Sequence, residues 1–390
     1  MKTTKKRPRP AEKPPLAAYI MLCAPPAVLI ALFYALREVT GVMDWVNANI
    51  SVPVRRFLGL LASFFPFSVM EVVLTAAGIW IIFFLVKTVR MALRRRQWLK
   101  ILSRRLLLLA VLAVYVWCLW CWLWSAGYFA PGLAEKNGLV SRGATTAELL
   151  AAAELFRDRA NELAPLVKRD ADGHYIEDRR EIFAASADIY DNLVHEFPSL
   201  HGSQYRPKPM AWSWLMSRTG YTGIYFALTG EANINIRAPG CLIPATVAHE
   251  FAHQRGVFSE DEANFAAIAA CVTSGNTAYE YSGWLCGLTH LQNALWQSSV
   301  QDNDFTAWDD IRAGYCDELL RDMQDTSDYW QSQKTVDTGI VFIDSALTSV
   351  TETVSDAVTT FYDGYLKSQK QELGVKSYGA CVDLLVCYFS

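Results

Sequence analysis

The sequence predicts three N-terminal transmembrane helices followed by a mainly helical α+β domain with one small sheet. The first observation is composition: 52% of the 390 residues are apolar, and the excess lies in three long runs before residue 130. The second is that the rest of the chain has the mixed composition of a water-exposed domain. We therefore divide the chain into a membrane anchor, residues 1–129, and an outer domain, residues 130–390.

Each of the three apolar runs is long enough to cross a bilayer. They cover about residues 16–36, 64–86 and 106–124, and at 1.5 Å per residue each can span a hydrocarbon core of about 30 Å. Pro25 and Pro26 lie inside the first run and should kink it, which membrane helices tolerate. No small-residue cleavage site follows that run, so we expect a retained anchor rather than a signal peptide.

The distribution of Lys and Arg predicts the orientation of these spans. Both basic clusters flank spans, one in the N-terminal tail and one between the second and third spans. They comprise Lys2, Lys5, Lys6, Arg7, Arg9 and Lys13 in the tail, and Lys87, Arg90, Arg94, Arg95, Arg96, Lys100, Arg104 and Arg105 in the link. Because cytoplasmic segments carry the excess of positive charge, we expect a multi-pass plasma-membrane protein with a cytoplasmic N-terminus and an extracytoplasmic outer domain. The net charge of −3 gives no reason to expect a nucleic-acid partner.

Helical patterns dominate the outer domain. The predicted helices cover residues 145–167, 179–196, 242–254, 261–274, 279–297, 308–323 and 378–389, and residues 340–370 are expected to form one longer helix or a helix pair. Residues 220–228 are rich in aromatic and β-branched side chains, and residues 232–237 alternate apolar with polar ones, which are patterns of strands. The small sheet is therefore expected directly before the helix at 242–254.

Six of the nine cysteines lie in this outer domain. They are Cys241, Cys271, Cys286, Cys316, Cys381 and Cys387. An even number permits disulfides, but spacing leaves the pairing open. Buried free thiols with at most one bridge are the simpler expectation.

Two histidines with a glutamate between them form the chemical centre of the sequence. His249 and His253 are four residues apart in the segment HEFAH, so on an α-helix both imidazoles lie on one face and can bind one ion. Zinc accepts imidazole nitrogens at about 2.0–2.1 Å, which this spacing can satisfy. Glu250 lies about 100° round the helix from His249, where it can reach an attacking water as general base. We therefore expect Zn²⁺ as the cofactor, with two histidines that bind no metal as the alternative.

A catalytic zinc ion needs a third protein ligand, and the segment EDEANF follows the second histidine closely. It resembles the E-x-x-A-D or E-x-x-A-N element of zincin-type peptidases. By that resemblance Glu260 is the third ligand, and Asn264 hydrogen-bonds a zinc-bound histidine and fixes its ring. Glu262 is the alternative ligand, and both acids could instead only favour the start of a helix. The chain must reverse sharply at Gly256 for this arrangement to form.

The predicted strand at 232–237 comes just before the metal-binding helix. In zincins an edge strand in this place pairs with the extended substrate backbone, so Asn233 and Asn235 are candidate substrate-binding residues, with an ordinary sheet strand as the equal alternative. Side chains that could stabilise an oxyanion, none singled out by its spacing, are Tyr221, Tyr225, Tyr281 and His290.

The whole layout is similar to a bacterial membrane family known as domain of unknown function 3810. The resemblance rests on the three spans, on the blocks HEFAHQRG and EDEANF, and on VKSYGACVDLL at residues 375–385. It covers nearly the full length of the chain. It implies a zincin-like metallopeptidase fold and brings no particular substrate.

These features predict a membrane-anchored zinc metallopeptidase of the bacterial cell envelope, which hydrolyses peptide bonds of extracytoplasmic proteins or peptides. Its partners would be the lipid bilayer and a peptide or protein substrate. The alternative is a catalytically weak zincin-fold sensor or binding module, against which the intact Glu250 argues. A transporter is disfavoured because the spans carry almost no ionisable group beyond Glu71. The sequence leaves the oligomeric state and the cleavage specificity open.

Overall fold

The structure, a computed structural model, describes residues 16–94, 98–139, 141–202, 205–334, 341–369 and 378–389. The basic N-terminal tail, Arg95, Arg96 and residues 375–377 of the C-terminal motif lie outside the described residues. Within them the chain is mainly helical with one three-stranded sheet, as the sequence predicts.

The α-helices follow one another along the chain with short connections. They are α1 (Leu16–Leu36), α2 (Thr40–Val46), α3 (Val52–Ser63), α4 (Val69–Arg94), α5 (Trp98–Leu123), α6 (Leu133–Asn137), α7 (Thr146–Leu163), α8 (Arg179–Ala185), α9 (Asp191–Glu196), α10 (Ser213–Arg218), α11 (Ile243–Arg255), α12 (Glu260–Val272), α13 (Thr277–Asp302), α14 (Thr306–Ala313), α15 (Asp317–Lys334), α16 (Val341–Ser368) and α17 (Tyr378–Phe389). The strands are β1 (Lys208–Pro209), β2 (Gly223–Phe226) and β3 (Glu231–Ile234).

Three of these helices are long and apolar enough to cross a membrane, which confirms the prediction of three such helices. They are α1, α4 and α5. The second begins at Val69 rather than at residue 64, because residues 64–68 form the turn that joins it to α3. The helix α1 continues through both prolines at its centre.

The link between α1 and α4 folds onto the part of the chain that follows residue 130. It contains α2, a π-helical turn at Asn47–Ser51, and α3. The helix α3 contacts α11 and β3 of the outer domain, and its Arg55 is fully buried. Contacts therefore cross residue 129, the predicted limit of the anchor, and that division of the chain stays a prediction.

The sheet has the order β1–β3–β2. The central strand β3 runs parallel to β1 and antiparallel to β2, with Gly223 opposite Ile234 and Phe226 opposite Glu231. A tight turn with Gly230 at φ 69° joins β2 to β3. Because β3 lies between two strands, its backbone groups are shared with neighbours on both sides.

Two predicted helices are each broken in two. The predicted helix at 179–196 is α8 and α9, because the Ser186 hydroxyl donates to the Phe183 carbonyl and the Tyr190 side chain turns inward to donate to the Ala248 carbonyl. A hydroxyl bonded to its own helix competes with the backbone ladder. The predicted helix at 308–323 is α14 and α15, and Asn161 bonds the backbone of the break at Gly314.

The main core surrounds α11. The helices α12 and α13 pack on it, β3 lies beside it, and α7 and α17 pack on the outside of α13. The Thr145–Glu148 capping box starts α7. All nine cysteines are unpaired thiols, which agrees with the simpler of the two expectations for them.

Candidate metal centre

The helix α11 is the central helix of the outer domain. It has Pro244 in its first turn and ends at Gly256, whose left-handed backbone (φ 98°) lets the chain reverse towards α12. Every residue of α11 is buried except His249, which is half-buried. The packing therefore fixes the helix on all sides and leaves one imidazole facing a cleft.

Three potential metal ligands converge at this cleft. The Nε2 atoms of His249 and His253 lie 3.1 Å apart, and Glu260 Oε2 lies 3.2 Å from the first and 3.6 Å from the second. A point just outside the plane of these three atoms lies about 2 Å from each of them. This distance is the bond length that zinc makes to such ligands. The donor set and its spacing fit Zn²⁺, and the described part of the chain offers three ligands for its four tetrahedral positions.

The His253 ring is oriented by the turn that ends its helix. Its Nδ1 donates to the Val257 carbonyl at 2.8 Å, which leaves Nε2 with its lone pair towards the centre. From the sequence we expected Asn264 to make the hydrogen bond that orients a histidine ring. That side chain is half-buried on α12, and among the described residues no hydrogen bond joins it to either histidine.

The two candidate carboxylates have different surroundings. Glu260 begins α12, and its Oε1 accepts a hydrogen bond of 2.6 Å from the Tyr362 hydroxyl. Burial alone would raise the pKa of Glu260, but the His253 and His249 imidazoles hold it well below its usual range. Glu262 points away, because its two oxygens accept hydrogen bonds from the first backbone N–H groups of α6, at residues 133 and 134.

The Glu250 carboxyl lies beside these ligands in a water-poor position. Its side chain is 4% exposed. Burial raises the pKa of Glu250 to about 8, with His249 opposing and Glu260 adding to the rise. A divalent cation at the histidines would lower this pKa and favour the carboxylate. Gly223 of β2 makes room for the group, since a Cβ atom there would lie 2.4 Å from Glu250 Oε1.

The two asparagines predicted to bind substrate have interior partners. Asn233 and Asn235 are both 0% exposed. The Asn235 amide donates to Ser217 Oγ and the Tyr221 carbonyl, each at 2.9 Å, and the Asn233 amide donates to the Ile224 carbonyl at 3.3 Å. The backbone edge beside Glu250 belongs to β2, which in the described part of the chain pairs with β3 alone.

Among the tyrosines considered for an oxyanion, Tyr281 is committed elsewhere, because its hydroxyl donates to Asp322. The Tyr225 ring centroid lies 6.5 Å from that of His253, and Tyr221 packs edge-on against Tyr362 at 6.2 Å. His290 is buried on α13, and burial lowers its pKa to about 4, with His249 adding to the fall.

Arg55 was not selected from the sequence, yet it contacts the end of α11, the helix that contains both candidate histidines. Its Nη1 donates to the His253 carbonyl at 3.3 Å, at the end of α11 where a cation is favoured by the helix dipole. Its guanidinium carbon lies 4.7 Å from the ring centroid of Phe258 and 5.5 Å from that of Trp124. These cation–π contacts hold a fully buried charge.

Comparison with known proteins gives one family match. A family model described as Protein of unknown function (DUF3810) matches residues 48–386. This range contains α3, the sheet and the residues of the candidate metal centre. No curated protein and no solved structure gives a match.

Proposed function

The chain belongs to the DUF3810 family of proteins of unknown function, and we propose that it is a membrane-anchored zinc metallopeptidase of the zincin type that hydrolyses peptide bonds in extracytoplasmic proteins or peptides. The observation that carries this proposal is the convergence of two imidazole nitrogens and one carboxylate oxygen beside a buried Glu250. An HExxH helix with this set of groups is the arrangement that zinc peptidases use.

Each residue of the centre has a role in this proposal. His249, His253 and Glu260 would hold the ion. Zinc bound there would polarise the peptide carbonyl and acidify the attacking water. Glu250 would accept a proton from that water and pass it to the leaving amine. Tyr362 would keep Glu260 oriented through the hydrogen bond to its second oxygen.

The edge of β2 is the natural place for the substrate backbone. Its strand starts at Gly223, directly beside the Glu250 carboxyl, and an extended peptide can add to an exposed strand edge through backbone hydrogen bonds. Such pairing would place a scissile carbonyl next to the general base, and it needs no particular side chain.

The charge distribution supports the location. The basic link between the second and third spans favours the cytoplasmic side, so the N-terminus would be cytoplasmic and the metal centre would lie on the outer face of the plasma membrane.

The first test is the metal content of the full chain, purified in detergent and measured by elemental mass spectrometry. We expect about one zinc ion per chain, lost or strongly weakened in His253→Ala and in Glu260→Ala. Glu262→Ala serves as the control, because its carboxylate caps α6 instead. A wild-type chain that binds no zinc after reconstitution would sink the peptidase proposal.

The second test is peptide hydrolysis by the zinc-loaded chain, with Glu250→Gln as the comparison. Glu250→Gln should retain zinc and lose about a thousandfold or more in turnover, since the general base is removed. Equal amounts of hydrolysis product from wild type and from Glu250→Gln would instead favour a sensor or binding module.

A further inference from the structure

The metal centre lies directly at the outer end of the third span. Trp124 is the residue that follows α5, and its ring centroid lies 5.7 Å from that of His253. The same indole packs against Phe258 at 5.0 Å and Tyr225 at 5.6 Å. One side chain therefore separates the end of a membrane helix from a metal ligand.

The helix α16 also contacts both the candidate metal centre and the end of α5. The Tyr362 hydroxyl of α16 donates a hydrogen bond to Glu260. One turn later, the Tyr365 hydroxyl accepts a hydrogen bond from Trp120 Nε1 at 3.0 Å and shares another with Ser125 Oγ at 3.1 Å. Trp120 belongs to the last turn of α5. The segment that orients a metal ligand is thus fastened to the membrane helix.

Two buried carboxylates fix the height of the outer domain above the spans. Glu231 of β3 accepts hydrogen bonds from the backbone N–H groups of Val69 and Met70, at 3.0 and 2.9 Å, where α4 begins. Glu71 of α4 accepts hydrogen bonds from Ala211 and the following residue, at 2.9 and 2.6 Å, where α10 begins. One carboxylate of the outer domain binds the start of α4, and one carboxylate of α4 binds the outer domain. These charge-assisted hydrogen bonds hold the domain close to the end of the helix.

Exposed aromatic side chains surround the same end of α4. Phe64 is 75% exposed in the turn before this helix, and Trp214 is 54% exposed on α10, which begins just after the backbone N–H groups that Glu71 binds. Phe65 and Phe67 are also exposed. Aromatic side chains are enriched where a protein meets the headgroup layer, so we expect these exposed rings to lie at the level of the bilayer surface.

From these contacts we propose that the substrates are polypeptides held in the same membrane by their own anchor, and that they are cut within about ten residues of the anchor's outer end. An extended chain advances about 3.3 Å per residue, so only the first few residues beyond an anchor lie at the height of this centre. The inference rests on the proposed peptidase function and narrows its substrate class.

The test uses the full chain in phosphatidylethanolamine–phosphatidylglycerol vesicles together with a single-span probe protein. The probe carries an outer tail of about 60 flexible residues of randomised sequence, and the same tail without a span is added outside other vesicles. Cut positions are mapped by mass spectrometry, with Glu250→Gln as the blank. The readout is the position of each cut along the tail and not the overall cutting rate. Anchoring both proteins in one membrane raises their effective concentration and therefore speeds cutting anywhere in the tail.

We expect Glu250-dependent cuts to fall mostly within about ten residues of the span, at least about tenfold more often than in the distal half of the tail. Cuts spread evenly along the tail, or equally fast cuts in the free tail, would overturn this inference and leave the peptidase function intact. No Glu250-dependent cut in either probe by the zinc-loaded chain would overturn both. Release of fatty acid or headgroup from the vesicles without peptide cleavage would assign the centre to lipid and likewise overturn both.

Discussion

Tyr362 is a side chain outside the HEFAH motif that contacts a candidate metal ligand. Its hydroxyl donates to Glu260 Oε1, while Oε2 faces the two histidines. A carboxylate with one oxygen held by a donor keeps the other fixed for the metal, and loss of such a partner typically costs about 10–100-fold in metal affinity.

We therefore expect Tyr362→Phe to weaken zinc binding by about 10–100-fold, measured on the full chain by competition with a chromophoric chelator. Tyr365→Phe is the matched control, because it removes a hydroxyl one turn away that bonds Trp120 and not a ligand. Equal zinc affinities for the two variants would contradict the role given to Tyr362.

Local spacing in the sequence predicted the histidine pair of the candidate metal centre, but it did not predict the long-range contacts that surround the pair. His249 and His253 could be placed together because the helical period alone sets an i, i+4 pair on one face. Tyr362 lies 102 positions from Glu260 and Arg55 lies 198 positions from His253, so no local pattern reports either contact. The chain reversal at Gly256, by contrast, was expected from the sequence and is present.

At the scale of elements, the contact between β2 and α11 depends on a glycine. A Cβ atom at Gly223 would lie 2.4 Å from Glu250 Oε1 and 2.7 Å from Thr246 Cγ2. A glycine inside a strand often marks such a close approach, so this position carried a sequence signal that could have been used.

Gly223→Ala should displace the Glu250 carboxyl and lower peptide turnover by about 100-fold, while zinc content stays near one per chain. Gly364→Ala is the control, because nothing lies within 4 Å of a Cβ atom at that position. Unchanged turnover in Gly223→Ala would show that the strand can move away without consequence. Turnover and metal content are measured on the same preparation.

Arg55 of α3 contacts the end of α11 and the aromatic rings beside it. Truncating this buried side chain would leave a cavity among aromatic rings and remove the donor to the His253 carbonyl. We expect Arg55→Ala to destabilise the protein by about 2–4 kcal/mol, seen as a lower thermal midpoint in detergent. The exposed pair Arg159–Glu162 supplies the control: Arg159→Ala should cost less than about 1 kcal/mol. Matching midpoints for the two variants would rule out a supporting role for Arg55.

At the scale of the whole molecule, zinc should stabilise the fold by mass action. A ligand present at about 100 times its dissociation constant adds about 2.7 kcal/mol, so a chelator should lower the thermal midpoint of wild type. His253→Ala should not respond to the chelator. If both respond equally, the stabilising ion is bound elsewhere.

Acid should remove the same contribution. Zinc binds imidazole and carboxylate ligands in their deprotonated forms, so its stabilising effect should be lost as the pH falls. The difference in thermal midpoint between zinc-loaded and chelated protein, measured from about pH 7.5 to about pH 5, is therefore expected to shrink as the pH is lowered. A difference that is constant over this range would speak against histidine ligands.

The reciprocal capping by Glu71 and Glu231 makes the anchor part of the outer fold. A chain beginning at residue 130 would keep Glu231 in the interior without the N–H groups of α4 and would lack the side chain of Arg55. Such a fragment should not persist as a soluble protein if the membrane portion were cut away. In evolutionary terms, we expect that recombination with an unrelated helix would not yield a stable protein, because such a helix would supply neither the N–H groups that Glu231 binds nor the buried Arg55.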